Sequence, residues 1–230
     1  MDFDLELARS CSLNDAYLRF YRWQPYCISL GANQKQEEVD TGKCKSDKID
    51  IVRRPTGGRA ILHAEEITYS VVLPLTGEKT PREIYSKISH ALATGLRNYD
   101  ERLSEIELES AQPNFPALLK QPSGMLCFAS TAKSELKYAG KKIVGSAQRK
   151  LDKVILQHGS ILCGKFHRKL PEYLVESDEN KILLKNELEE KTIEIETILN
   201  RATDYGKLVD SLILGFEKEW QVNFPVAERL

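Results

Sequence analysis

The chain has 230 residues, of which 41% are hydrophobic and 29% charged, and its formal net charge is −1. That length suits one large domain or two small ones, and that composition suits a soluble globular fold with a sizeable core. No apolar run approaches the ~20 residues of a membrane span, and the near-zero charge gives no general attraction to nucleic acid.

The start, "MDFDLEL", is acidic and has none of the basic and apolar regions of a secretory signal. Cys11, Cys27, Cys44, Cys127 and Cys163 are odd in number and irregularly spaced. No Cys-x-x-Cys occurs, which argues against a disulfide framework or a zinc site. The expectation is reduced thiols in a cytoplasm, with one of them available as a nucleophile.

In chain order, "DFDLELA" predicts a short helix with a possible cap at Asp2. "YLRFYRW" and "CISLG" predict strands on either side of a Gln24-Pro25 turn, and "EEVDTGKCKSDK" a polar helix or loop. Strands follow at Ile49–Arg54, Ala60–His63 and Ile67–Leu73. "TPREIYSKISHALATGLRNY" is the clearest helix. Thr80 and Glu83 make a capping box around Pro81, and Ile84, Ile88, Leu92 and Leu96 line one face. "SEIELES" alternates as a strand does. "SELKYAGKKIVGSAQRKLDKVILQHGSILC" predicts three strands, with turns at Ala139-Gly140 and near Asp152. "YGKLVDSLILGFEKEW" puts Leu208, Leu212, Phe216 and Trp220 on one stripe. No repeat or linker is visible, so the expectation is one mixed α/β domain.

Three stretches carry possible chemistry. "VRRPTGGRAILHAEEITYSVV" has more glycine and charge than a turn needs. Glycines let a backbone pass close to a ligand, and arginines donate charge-assisted hydrogen bonds to carboxylate, phosphate or carbonyl oxygens. From residue types alone, a glycine-containing hairpin with its arginines in solvent is the plainer reading. In "GKKIVGSAQRK", Lys141 and Lys142 face opposite sides of a strand. Either Lys142 faces inward with Ile143 outward, or both lysines reach water, the usual fate of lysine. In "SGMLCFAS", Cys127 follows a Pro/Gly loop, where a nearby ammonium would favour its thiolate. A buried, inert cysteine is the commoner alternative, and Cys163, at the end of an apolar strand, takes that role.

Together, Arg-Arg-x-Thr-Gly-Gly-Arg, a histidine, a cysteine and Gly-Lys-Lys-Ile-x-Gly-Ser-Ala-Gln resemble the lipoate/biotin protein ligase superfamily, over nearly the whole chain. "LRFYRWQPYCISLGANQ" looks like its early strand pair and "VILQHGSIL" like its strand after the lysine. Within the superfamily, the chain most resembles the cysteine-dependent octanoyltransferases of lipoic acid assembly, which keep a nucleophilic cysteine where Cys127 stands. Three departures stand out. Ala64 follows the histidine where the family usually has Asp. The chain starts at the first helix, where members commonly have a strand before it. Arg59 stands where ATP-using ligases commonly have a third glycine, and the sequence runs only to Leu230 after Trp220, so the expectation is a domain without the C-terminal accessory domain that many ligases carry.

The resemblance implies an α/β (α+β) fold, one catalytic domain over residues 1–230 with a mixed β-sheet core flanked by helices. It implies transfer of octanoyl from octanoyl-acyl carrier protein to a lysine of a lipoyl domain. The acceptor is a 2-oxoacid dehydrogenase E2 or the glycine-cleavage H protein. No cofactor, metal, nucleic acid or membrane is implied. Cys127 is the expected nucleophile, and Lys142 would stabilise its thiolate, donate to the oxyanion or help take the acceptor's proton. Arg54, Thr56, Gly57, Gly58, Gly145 and Ala147 would line an acyl tunnel. His63 would give a hydrogen bond or serve only the structure, and His158 is expected to be structural. Two alternatives remain within the family: an ATP-dependent lipoate–protein ligase, and an amidotransferase working between lipoyl domains. A non-catalytic homologue that only binds lipoyl domains is less consistent with Cys127 and Lys142 both being present.

Overall fold

The computed structural model describes residues 1–77, 79–109 and 134–225. Cys127 therefore lies outside the described residues. Among the described residues, ten strands form three sheets. The largest is antiparallel, in the order β1 (Tyr17–Tyr21), β5 (Glu66–Pro74), β10 (Val154–Leu162), β9 (Val144–Leu151). The second is mixed: β2 (Cys27–Leu30) runs between β3 (Asp50–Arg53), parallel to it, and β4 (Ile61–His63), antiparallel to it. The third pairs β6 (Glu107–Leu108), β7 (Leu136–Tyr138) and β8 (Lys141–Lys142).

Helix α1 (Asp2–Ser10) opens the chain, and Met1, not Asp2, is its cap residue. Helix α2 (Thr41–Ser46) is capped by Asp40. Helix α3 (Pro81–Tyr99) starts at the expected Thr80/Glu83 capping box. Its Ile84, Ile88, Leu92 and Leu96 are buried against Tyr69 and Val71 of the large sheet and against α6 (Tyr205–Trp220), which contributes Leu208, Leu212 and Phe216. Each such side chain stabilises the fold by about 1.5–3 kcal/mol on burial. Trp220, the fourth member of the predicted stripe, is only half-buried at the edge. A second cluster joins the mixed sheet to α2, to the 3-10 segment Phe166–Tyr173 and to α4 (Asp178–Lys191). A short helix, α5 (Ile195–Leu199), leads into α6.

Three expectations change. The strands flanking Gln24-Pro25 join different sheets, so they are not a pair. Strands β3 and β4 are likewise not a hairpin: each pairs with β2, one on either side. The Arg54–Ala60 connection must therefore pass over β2, and this explains why it is longer than a turn. The third concerns the lysine strand, which breaks at Ile143 into β8 and β9. Lys142, Ile143 and Val144 are all buried, so Ile143 does not face outward. Its N–H goes to Leu136 O at 3.1 Å and its carbonyl accepts from Leu162 N at 3.0 Å. The chain thus changes sheets at this residue. Turn backbone with positive φ sits where expected, at Ala139, Gly140 and Asp152. Among the described residues, no helix is long and apolar enough to cross a membrane.

Candidate active site

The crossing loop is held by its own arginines. Arg54 is 2% exposed. Its Nη1 donates to Ser29 O at 2.9 Å and Ser29 Oγ at 3.1 Å, and its Nη2 to Gly57 O at 3.0 Å and Arg59 O at 2.6 Å. Arg53, more exposed, closes over the carbonyls of Gly31, Ala32 and Gln34. The solvent-arginine reading is therefore overturned for Arg54, while Arg53 is exposed. A guanidinium has five donors in a fixed fork, and here the fork ties loop to strand. Gly58 has φ +94, a region side-chain-bearing residues rarely adopt. A Cβ on Gly31 would meet Gly58 O at 2.0 Å, so the two backbones touch.

From Ser29 a buried chain of hydrogen bonds continues. His63 Nε2 lies 2.7 Å from Ser29 Oγ, and Nδ1 lies 2.8 Å from Glu66 Oε1. A carboxylate oxygen at Nδ1 places the proton there, so Ser29 Oγ–H donates to Nε2. Thr68 Oγ1, at 2.6 Å, and Ser160 Oγ, at 2.9 Å, also donate to Glu66 Oε1. Trp23 stacks on the His63 ring at 4.9 Å and donates its Nε1–H to Thr68. Both nitrogens of His63 are thus occupied, which makes it a link between the sheets. Glu66 serves as its acid two residues beyond the expected position, which Ala64 fills. Glu65 acts elsewhere. Its carbonyl accepts from Cys163 N and Gly164 N, and its carboxylate accepts from Phe166 N.

Above this chain is a narrow cavity between the two larger sheets. It is lined by Arg54, Ile61, His63, Thr68, Gly145, Ser146, Ala147, His158 and their neighbours, with Met1 on one side. About 20 Å³ is open, room for a water and not for an eight-carbon chain. An acyl chain enters only if side chains on its wall turn aside. Arg54, His63, Gly145 and Ala147 come together here, while Thr56 joins through His158, whose Nε2 lies 2.7 Å from Thr56 Oγ1. Gly57 and Gly58 build the loop but do not line the cavity. His158, expected to be only structural, is in the cavity wall. Burial first, then the positive charge of Arg54, pushes its pKa down to about 3, so its ring is neutral at pH 7. A larger groove of about 820 Å³ lies between α1 and the β9–β10 turn, and none of the expected site residues lines it.

Lys142 stands apart from this cavity, 2% exposed. Its Nζ is 3.0 Å from Glu135 Oε2, itself buried. Its backbone bridges Thr192, and its carbonyl accepts from Ile193 N at 3.0 Å. Lys141 points the other way and donates to Glu189 O. The both-to-water alternative fails for Lys142 because the carboxylate compensates its burial.

The four described cysteines have thiols pushed above their ordinary value. Burial is the main cause for each, to about 12 for Cys27, and Asp15 adds to it at Cys11. Cys163 has its expected buried role. Among the described residues, no group of three His, Cys, Asp or Glu side chains is arranged to hold a metal.

The family described as the lipoyl protein ligase A/B catalytic domain matches residues 1–217. Octanoyltransferase LipM of Staphylococcus aureus is 35% identical over 222 residues, covering 93% of this chain and 79% of that protein. Octanoyltransferase LipM of Carboxydothermus hydrogenoformans is 36% identical, covering 92% and 77%. Among solved structures, a bipartite lipoate protein ligase from Thermoplasma acidophilum superposes with TM-score 0.75 over 97% of this chain and 78% of its own, at 21% identity. A lipoate-protein ligase A bound with ATP gives 0.74, with 97% and 80% covered, at 21% identity. At that identity the structures speak for the fold, and the fold is the expected one. With a family match across nearly its whole length and relatives above 30% identity, this chain belongs to the lipoyl protein ligase A/B catalytic-domain family.

Proposed function

We propose that residues 1–230 work as one catalytic domain that transfers octanoyl to a lysine of a lipoyl domain in lipoate assembly. The carrying observation is the 32–36% identity, over about nine-tenths of the chain, to several proteins named octanoyltransferase. The proposed donor is octanoyl-acyl carrier protein, whose thioester is already activated and needs no nucleotide. The acceptor is a lipoyl domain, of a dehydrogenase E2 or of the glycine-cleavage H protein.

Cys127 thiolate attacks the thioester carbonyl and expels the carrier's thiolate, leaving octanoyl on the cysteine. The acceptor lysine, as the free amine, then attacks that carbonyl, the C–S bond breaks, and the proton lost from the nitrogen goes to the departing Cys127 sulfur, leaving the amide and a thiol. Splitting the transfer this way replaces one difficult step with two easier ones. Cys127 is favoured by its place ahead of the lysine strand. The raised thiol values of the four described cysteines also favour it, since each keeps less thiolate at neutral pH. Lys142 supplies a fixed positive charge for the thiolate and the oxyanion. Arg54 lines the cavity from the loop, Thr56 holds His158 in its wall, and Gly57 and Gly58 let the loop backbone bend behind them. Gly145 and Ala147 leave room opposite, and His63 holds the two sheets in register.

The test is octanoylation of a lipoyl domain by purified protein, from octanoyl-carrier protein without nucleotide. Turnover supports the transferase. Activity only with ATP and free acid makes the chain a lipoate–protein ligase, and activity only from an octanoylated lipoyl domain makes it an amidotransferase.

A further inference from the structure

We infer that Glu135 is a positioning residue for this transfer: its carboxylate keeps Lys142 charged and aimed. The inference rests on the role given to Lys142 above. Both side chains are almost wholly withdrawn from water, with Nζ and Oε2 3.0 Å apart. An ammonium in such a place is stable only beside a compensating charge, and removing one partner of a buried pair leaves the other strongly destabilised.

The backbone around the pair is hydrogen-bonded on both sides. Glu135 O accepts from Glu109 N at 2.8 Å, and β8 is held between β7 and the Thr192–Ile193 segment. The carboxylate also stands just past the segment that contains Cys127 in sequence.

Among the described residues, four other charged or titratable groups near β8 have partners of their own. Lys137, opposite Lys142, pairs with Glu109. Lys141 reaches Glu189 O. Glu194 is engaged by Arg168 at 2.6 Å. His167 bonds Thr192 Oγ1 at 3.0 Å, and burial pushes its pKa down to about 4, so it carries no charge at neutral pH. Glu135 is thus the carboxylate that the geometry gives to Lys142.

The experiment compares the rates of octanoyl transfer, and of Cys127 acylation, for wild type, Glu135→Gln, Glu135→Asp and Lys142→Ala. Acylation by Glu135→Gln should fall by about tenfold or more, while Glu135→Asp, which keeps the charge, restores most of the wild-type rate. A Glu135→Gln enzyme that acylates at the wild-type rate, or a Glu135→Asp enzyme as slow as Glu135→Gln, overturns the inference and leaves Glu135 as packing. If Lys142→Ala is fully active, the reading of Lys142 itself fails, and the inference with it. Should Glu135→Gln not fold, Glu135→Gln/Lys142→Met removes both charges and should melt near wild type. A double variant no more stable than the single one also overturns the inference.

Discussion

The region around His63 and the region around Lys142 hold buried charges in different ways. At His63, a carboxylate, an imidazole, a hydroxyl and a guanidinium form one chain of hydrogen bonds, from Arg54 through Ser29 and His63 to Glu66. At Lys142, the ammonium faces the Glu135 carboxylate, beside the segment that carries Cys127 in sequence. The first arrangement leaves no base available, since both imidazole nitrogens are in use. It joins two sheets and fixes a loop. The second keeps a compact cation on a flexible stem, which can serve a thiolate or an oxyanion. The more conspicuous motif, Arg-Arg-x-Thr-Gly-Gly-Arg with its histidine, is thus mainly architecture, and the plainer Lys-Lys strand is where the proposed chemistry sits.

That contrast predicts that variants in the two regions fail differently. Lys142→Ala should lose about 10²–10³-fold in octanoyl transfer, the usual effect of removing one electrostatic stabiliser, as read by steady-state rates on protein checked by circular dichroism. Near wild-type rates there would erase the distinction. Glu66→Ala should instead act on stability, because it strands the three donors that meet at Oε1. The cost is about 3 kcal/mol, which for a domain of this length is a fall in Tm of roughly 10 °C. A melting scan that shows no change would mean the chain of hydrogen bonds is not what joins the sheets.

A third difference is in pH dependence. His158 and His167 are neutral in the folded state, with pKa values of about 3 and 4 against an ordinary 6.5. Below pH 6.5 the unfolded chain binds protons that the folded chain does not. The contribution is therefore complete above about 6.5 and is lost as pH falls towards 4, by about 1.4 kcal/mol per pH unit for each group at most. Urea midpoints from pH 7 to pH 4 measure it, and His158→Gln should flatten the slope. The smallest effect separates two adjacent glycines. Gly57 has open space around its Cβ direction, so Gly57→Ala should change stability by less than about 1 kcal/mol. Gly58→Ala forces a side chain to φ +94 and should cost more than that. Equal Tm values for the two would contradict the loop as described. Gly58→Val strains the backbone for the same reason, so Gly58 is a poor position for testing bulk in the cavity alone.

Some of this is legible in the sequence. The four-residue steps of Ile84 to Leu96 and the Thr80/Glu83 box fix α3, because both are local signals. The pairing of β2 with β3 and β4 is not legible, since neighbouring strands ordinarily pair with each other and nothing local says that this loop crosses a strand. Glu66 and His158 escape a sequence reading as site residues for a related reason. Each is a polar residue within an apolar run, "EITYSVV" and "VILQHGSIL", which marks a buried polar group without saying what it meets. Glu135 gives no sequence signal apart from its charge, because its partner is across a turn. The inward face of Lys142 is one of two readings, and only burial decides between them.

The central claim is that Cys127 carries the acyl group, and intact-mass analysis of the protein mixed with octanoyl-carrier protein in the absence of ATP tests it most directly. The account predicts one hydroxylamine-labile octanoyl adduct, on the peptide that contains Cys127, and none in Cys127→Ser. An adduct on Cys27 or Cys163, or undiminished transfer by Cys127→Ser, would contradict it.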